Sequence, residues 1–230
     1  MEFRNFPDRQ TLAQTLAEHI GSALQEDITR QGKASLVVSG GSTPRELFKQ
    51  LSVVALPWQQ VIVTLADERW VESASPDSNE ALVRQELLQE QAAAANFVSL
   101  KNNAETPKKG EHECERRLQN IPRPFTRVVL GMGNDGHTAS LFPDADQLSL
   151  AVDMGSNKLC AAIQPQTAPY ERITLTLPAL LAAKEIILHL TGRDKKVVLE
   201  QALADGPPKA MPIRFILRQQ QVPVAVYWAD

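Results

Sequence analysis

Short apolar runs alternate with segments of helical periodicity along almost the whole chain. Runs that predict strands lie at 35–38, 61–66, 96–100, 127–130, 159–163, 173–177, 186–190 and 222–228. Helical patterns lie at 8–31, from 44 onward, and at 78–91, 111–119 and 194–204. Strands that alternate with helices predict an α/β fold with a mostly parallel sheet and helices on both faces.

Four of the predicted strands end in glycine or in charged residues. These ends are 40–41, 67–69, 131–137 and 192–195. In a parallel sheet the carboxyl ends of the strands meet at one edge, and ligands bind beyond that edge. The sequence therefore predicts one site to which four separate segments contribute.

Composition and charge exclude several classes of protein. The 230 residues are 43% hydrophobic and 22% charged, with a net charge of −3, and we expect a single domain over 1–230. Nucleic acid and membranes are not expected as partners, because there is no basic field and no apolar run of about 20 residues. Cys114 and Cys160 form no CxxC motif, which favours a reduced, cytoplasmic protein.

The segment Gly131–His137 contains three glycines, an aspartate and a histidine directly after an apolar run. This pattern predicts a strand, a glycine turn and the start of a helix. Histidine is suited to proton transfer near neutral pH, and Asp135 is near enough in sequence to orient His137. The alternative is a histidine that only caps or packs. No role is expected for His19, His112 or His189.

The segment Gly40–Pro44 has small residues and free backbone N–H groups before a predicted helix. We expect Thr43 to be the N-cap, Pro44 to take the first helical position and Glu46 to complete a capping box. Such a turn binds phosphate or another oxyanion. A tight, capped connection without a ligand remains the alternative, since the motif is neither a Walker A loop nor a GxGxxG fingerprint.

The triplet Asp67–Arg69 places two acids and a guanidinium at a strand end. Arg69 can make a forked contact to phosphate, and Asp67 or Glu68 can orient a base or bind a hydroxyl; a local salt-bridge cluster is the alternative. Lys195 follows a glycine at the predicted ligand edge. Arg172 begins a strand, so the edge rule does not place it at the site.

Without a metal site or a covalent nucleophile, the catalytic chemistry that the sequence supports is general acid–base catalysis. The sequence has no HExxH or comparable metal-ligand spacing and no GxSxG nucleophile elbow. No metal site and no cofactor are therefore expected.

Five segments in family order resemble the 6-phosphogluconolactonases, and they are 39–44, 67–69 with 78–79, 131–143, 171–176 and 191–195. The resemblance implies a modified Rossmann-like fold shared with glucosamine-6-phosphate deaminase. It also implies hydrolysis of 6-phospho-D-glucono-1,5-lactone to 6-phosphogluconate, the second step of the oxidative pentose phosphate pathway. His137 would then be the general base, with Asp135 in support. The expected substrate- and phosphate-binding residues are Gly41, Ser42, Thr43, Asp67, Arg69, Arg172 and Lys195.

Two other functions stay open. A sugar-phosphate isomerase or deaminase of the same fold would use a carboxylate near Asp67 to move a substrate proton. Arg69 and the segment 138–143 depart from the deaminase pattern. A non-catalytic sugar-phosphate sensor would carry a DNA-binding module, and the sequence has no basic helix-turn-helix segment.

Overall fold

The computed structural model describes all 230 residues and contains two sheets. The strands of the larger sheet, in chain order, are β1 (Glu2–Asn5), β2 (Ala34–Val38), β3 (Val61–Leu65), β5 (Asn96–Val98), β6 (Arg127–Leu130), β9 (Ile186–Thr191) and β10 (Val224–Ala229). They lie in the order β1-β10-β9-β6-β2-β3-β5, and every neighbouring pair is parallel. The predicted parallel α/β sheet is confirmed.

The strands of the smaller sheet are β4 (Asp67–Arg69), β7 (Cys160–Ile163) and β8 (Arg172–Leu175). This sheet is antiparallel, and its strands lie in the order β4-β8-β7. The sequence pattern did not separate these strands from the main sheet. Three charged residues carry no apolar alternation, so nothing in 67–69 predicts a strand.

Eight α-helices connect the strands. They are α1 (Arg9–Gln31), α2 (Arg45–Ser52), α3 (Asn79–Glu86), α4 (Pro107–Gln119), α5 (Leu148–Ala151), α6 (Leu177–Leu181), α7 (Arg193–Leu203) and α8 (Ile213–Arg218). None of them is both long enough and apolar enough to cross a membrane.

One hydrophobic core of 62 buried residues supports the proposal of a single domain. All five residues of β2 are buried. Because successive side chains of a strand point to opposite faces, this burial requires both faces of the central sheet to be covered.

The helix predicted directly after His137 is absent. Thr138 instead donates a hydrogen bond from its Oγ1 to the carbonyl oxygen of Gly131, at 2.8 Å, and bridges to Leu141. The loop therefore folds back on the strand that precedes it. The next helix, α5, begins only at Leu148.

The predicted cap of α2 is also wrong. Pro44 occupies the N-cap position without a side-chain cap, and Glu46 accepts a hydrogen bond from Gln50 instead of closing a capping box. The Thr43 hydroxyl lies 3.4 Å from the hydroxyl of Thr191, at the end of β9. A tertiary contact between loops has replaced the local cap.

Asp27 joins α1 to the amino ends of the central strands. Its buried carboxylate accepts hydrogen bonds from Thr126 Oγ1 at 2.7 Å, from Arg30 Nη2 at 2.9 Å and from the Lys184 ammonium. Burial alone would raise the pKa of Asp27, but the bonds from Lys184 and Thr126 outweigh it and lower the pKa. The ionised form is therefore the one the fold stabilises.

Replacing Asp27 with asparagine should lower the free energy of unfolding at pH 7 by about 1–3 kcal/mol, because the cations lose a charged partner. A lowered folded-state pKa gives stability that is complete above the ordinary carboxyl pKa of about 4 and is lost as the pH falls through the folded value. Urea unfolding should show a smaller difference at pH 3 than at pH 7. The exposed Glu26→Gln is the control, and an equal Asp27 effect at both pH values would contradict this assignment.

Candidate active site

A cavity of about 250 Å³ opens at the carboxyl edge of the parallel sheet, beyond β2, β6 and β9. Five of its 21 lining residues are hydrophobic, so it suits a polar ligand. The predicted site residues that line it are Gly41, Ser42, Thr43, Asp67, Arg69, His137, Arg172 and Lys195. The prediction that four strand ends meet at one edge is confirmed.

Asp135 does not line the cavity but lies behind His137. The Asp135 carboxylate is 2.6 Å from His137 Nδ1 and also accepts the backbone N–H of His137, at 3.1 Å. Burial would raise the pKa of Asp135, but its contacts with His137 lower it below the ordinary carboxyl value. An ionised Asp135 makes Nδ1 the donor, which leaves Nε2 as the nitrogen that can accept a proton.

Neighbouring groups hold the His137 ring in place. The imidazole stacks on the Phe142 ring, with 4.1 Å between the ring centroids. The carbonyl oxygen of His137 accepts the N–H of Gly133 at 2.8 Å, and Gly136 completes the turn with a φ of +78°. This positive φ favours glycine at position 136.

The Gly40–Thr43 turn presents unpaired backbone donors to the cavity. None of its four N–H groups donates a hydrogen bond within the chain. Gly41 has a φ of +100°, and a Cβ on Gly40 would lie 1.9 Å from Asn79 Oδ1. The close approach of Asn79 therefore requires glycine at position 40. Converging free N–H groups before a helix can bind an oxyanion.

Two arginines face each other at the end of the smaller sheet. Arg69 on β4 pairs directly with Arg172 on β8, and Nε of each is buried without a hydrogen-bond partner. Burial lowers the pKa of Arg172, and the charge of Arg69 acts in the same direction. Like charges directly opposite one another are destabilising, so a bound anion would satisfy both groups.

The antiparallel pairing of β4 with β8 explains how Arg172 reaches the cavity. The edge rule for parallel strands excluded this residue, because it stands at the start of its strand. In an antiparallel pair, however, the start of β8 lies beside the end of β4. The rule failed because β8 is not part of the parallel sheet.

The two acids of the triplet have different surroundings. Asp67 lies in the cavity wall, where it accepts hydrogen bonds from Ser140 Oγ at 2.5 Å and Asn79 Nδ2 at 3.4 Å, and its Oδ2 lies 3.9 Å from Arg172 Nη1. Glu68 is 1% exposed and does not line the cavity. The option that Glu68 contacts a ligand is therefore wrong.

Glu68 anchors the start of α3 to β4. Its carboxylate accepts the Ser78 hydroxyl and the backbone N–H groups of Arg69, Asn79 and Glu80, at 2.7–2.9 Å. Burial raises the pKa of Glu68, although these four donors oppose the rise. The bonds fix β4, and with it Arg69, relative to Asn79.

Lys195 connects α7 to the histidine turn. Its Nζ donates to the carbonyl oxygen of Met132 at 2.7 Å and to Asn134 Oδ1 at 2.6 Å. Burial lowers the pKa of this ammonium. Lysine has three donors, so one N–H remains for a ligand in the cavity.

Asn79 and His189 also line the cavity, although neither was among the predicted site residues. Asn79 bonds to both the backbone and the side chain of Asp67. The only local signal for His189 is a single imidazole inside an otherwise apolar strand. The structure contains no group of three or more His, Cys, Asp or Glu residues that could hold a metal ion.

Comparisons with known proteins give a consistent family. A family model described as glucosamine-6-phosphate isomerases/6-phosphogluconolactonase matches residues 7–228. A 6-phosphogluconolactonase of Mesorhizobium japonicum is 44% identical, over 97% of this chain and 93% of its own length. One from Pseudomonas aeruginosa is 39% identical, over 94% of this chain and 90% of its own length.

Solved structures agree with these sequence matches. The crystal structure of a 6-phosphogluconolactonase from Shewanella baltica superposes with a TM-score of 0.98 at 49% identity, covering 100% of this chain and 98% of that one. A monomeric glucosamine-6-phosphate deaminase has a TM-score of 0.79 at 16% identity, covering 100% of this chain and 98% of that one. The second likeness shows a shared fold alone.

A Gly133→Ala substitution should separate His137 from Asp135. The added Cβ would lie 2.1 Å from His137 Nδ1 and 2.6 Å from Asp135 Oδ1, so one of the two side chains has to move. ¹⁵N NMR of the imidazole should then show loss of the hydrogen-bonded Nδ1–H. Gly131→Ala is the matched control, since a Cβ there has no atom within 4 Å. An unchanged His137 spectrum in Gly133→Ala would refute the geometry.

Proposed function

The chain belongs to the glucosamine-6-phosphate isomerase/6-phosphogluconolactonase family, and from this premise we propose that it hydrolyses 6-phospho-D-glucono-1,5-lactone to 6-phospho-D-gluconate. It is a hydrolase of a sugar-phosphate lactone, and this reaction belongs to the pentose phosphate pathway. One observation carries the proposal. The His137 imidazole, backed by Asp135, lines the same cavity as a turn with four free N–H groups and two arginines whose Nε atoms lack hydrogen-bond partners.

His137 acts as the general base. Its Nδ1–H is donated to Asp135, so Nε2 takes a proton from water while the water oxygen attacks the lactone carbonyl at C1. The tetrahedral intermediate then expels the ring oxygen, which receives the same proton back from the imidazolium. The ring C–O bond breaks, a new C–O bond forms, and the product is a carboxylic acid that ionises.

Asp135 is a positioning residue in this scheme, because it acts through His137. Its ionised carboxylate selects the tautomer with a free Nε2 and stabilises the imidazolium that forms. A sugar lactone is already a reactive ester. Positioning of the substrate and one general base, which contributes about 10²–10⁴-fold to the rate, are therefore sufficient for catalysis.

The 6-phosphate binds the Gly40–Thr43 turn and the basic side chains that line the same cavity. The N–H groups of Gly41, Ser42 and Thr43 supply neutral donors, while Arg69, Arg172 and Lys195 supply charge. The guanidinium groups of Arg69 and Arg172, which line the cavity, donate to phosphate oxygens. Asp67 holds Arg172 and the loop at Ser140 in place, next to the substrate hydroxyls.

The isomerase or deaminase alternative would need a carboxylate that is free to move a substrate proton. The Asp67 carboxylate is already engaged by Ser140 and Asn79. An assay of lactone hydrolysis against ammonia release from glucosamine 6-phosphate separates the two activities.

We also propose a reducing, cytoplasmic location. Cys114 and Cys160 are both buried and both free. Contact with Cys114, together with burial, raises the pKa of the Cys160 thiol. Two neighbouring thiols that remain unbonded fit a compartment in which disulfides are rare.

Replacing His137 with alanine should lower kcat by about 10²–10⁴-fold, because the general base is lost. Asp135→Asn should lower kcat by a smaller factor, since the base remains without its partner. Rates are measured after subtraction of the uncatalysed opening of the lactone. His112→Ala, on an exposed face of α4, is the matched control. Full hydrolytic activity in His137→Ala would rule out this mechanism.

Replacing Arg172 with methionine should reduce kcat/KM for the phosphorylated lactone by about 10–100-fold, the size of one or two hydrogen bonds to a charged group. Activity on unphosphorylated glucono-1,5-lactone should hardly change. Arg116→Met, on the exposed face of α4, is the control. Equal losses of kcat/KM on both lactones would show that Arg172 does not bind the phosphate.

A further inference from the structure

His189 is a buried polar residue that the mechanism above does not use. It lies in β9 between Leu188 and Leu190 and is 4% exposed. Its Nδ1 is buried and has no hydrogen-bond partner. Buried polar atoms are nearly always paired, because leaving one unpaired is destabilising. An unpaired imidazole in the core therefore needs an explanation.

The position of His189 suggests what could pair with it. His189 lines the main cavity and also a second cavity of about 220 Å³, and Ser42 and Thr43 are the other residues common to both. Thr191, two residues along the same face of β9, contacts Thr43 through its hydroxyl. His189 therefore lies beneath the Gly40–Thr43 turn, whose N–H groups are also unpaired.

The charge state suits a hydrogen-bond donor. Burial lowers the pKa of His189 to about 4, so the ring is neutral at pH 7. A neutral imidazole carries one N–H, which can donate to an anion without the cost of burying a further charge. No carboxylate bonds to this ring, in contrast to His19 with Glu185 and His137 with Asp135.

We propose that His189 is a further phosphate-binding residue: its ring N–H donates to the phosphate of a ligand seated on the Gly40–Thr43 turn. The inference rests on the proposed function for the identity of the lactone, but its chemistry requires only a phosphate monoester. His189 lines the main cavity beside Ser42 and Thr43, which gives a phosphate oxygen on the turn access to the ring. Binding pairs the free N–H groups and the imidazole together.

If His189 served only in packing, its replacement should leave phosphate binding unchanged. Leucine is close to histidine in size, and both neighbours in β9 are leucines, so His189→Leu suits this strand. It removes an unpaired polar group, so the melting temperature should stay level or rise. A group that lowers stability yet binds a ligand is expected at a functional site.

The test is calorimetric titration of the parent, His189→Leu and His189→Asn with 6-phosphogluconate and, separately, with inorganic phosphate. We expect His189→Leu to weaken the binding of both ligands about 10-fold, which corresponds to the loss of one hydrogen bond to a charged group. His189→Asn, which keeps an N–H donor, should recover part of the loss. In kinetics the loss should fall mainly on KM. The exposed His112→Leu is the control.

Two results would overturn the inference. One is a dissociation constant for both ligands that stays within twofold of the parent in His189→Leu. The other, in the unsubstituted protein and so independent of folding of the variant, is a His189 ¹⁵N resonance that does not shift when phosphate is added. Lack of lactone hydrolysis with intact 6-phosphogluconate binding would instead count against the proposed function alone.

Discussion

The site depends on the parallel alignment of β2, β6 and β9, which lie together in the sheet with β6 between the other two. Because the three strands run in the same direction, the loops that follow them meet at one edge. The segments that follow these strands carry the Gly40–Thr43 turn, the histidine turn and, in α7, Lys195. Reversal of any one strand would move its loop about 15 Å, the length of a five-residue strand. The Gly40–Thr43 turn and His137 would then be too far apart to line one cavity.

The smaller sheet adds two guanidinium groups to the charge that Lys195 supplies at the parallel edge. Its antiparallel pairing sets Arg69 beside Arg172, and Glu68 ties this pair of strands to the start of α3 through three hydrogen bonds. This arrangement is unfavourable by itself, since two guanidinium groups face each other with an unpaired Nε on each. Ala139, with a φ of +48°, adds backbone strain at the same cavity. Unfavourable features that a ligand can relieve are expected at a binding site.

Local patterns predicted the parts of the molecule that local forces determine. Apolar runs and helical periodicity predicted the parallel sheet, and glycine and charge at the strand ends predicted the site edge. The pairing of Asp135 with His137 follows from two residues in one tight turn. The roles of the site residues in catalysis remain proposals.

What the sequence did not predict depends on contacts between distant segments. The family resemblance named Arg172, but the strand pattern alone did not place it at the cavity, which it reaches because β8 pairs with β4, about a hundred residues earlier in the chain. The contact of Thr43 with Thr191 replaced the expected cap, and the bond from Thr138 to Gly131 replaced the expected helix. His189 fits the periodicity of a buried strand, and periodicity does not reveal which cavity a buried side chain lines.

The central claim is that one cavity holds the base and the anion site at opposite ends of a single substrate. A crystal structure with 6-phosphogluconate bound tests this claim most directly. The account predicts the phosphate on the Gly40–Thr43 turn, with the C1 carboxylate within about 3–3.5 Å of His137 Nε2, a near-attack distance. A product bound in the opposite direction, with its phosphate at His137, would contradict the account.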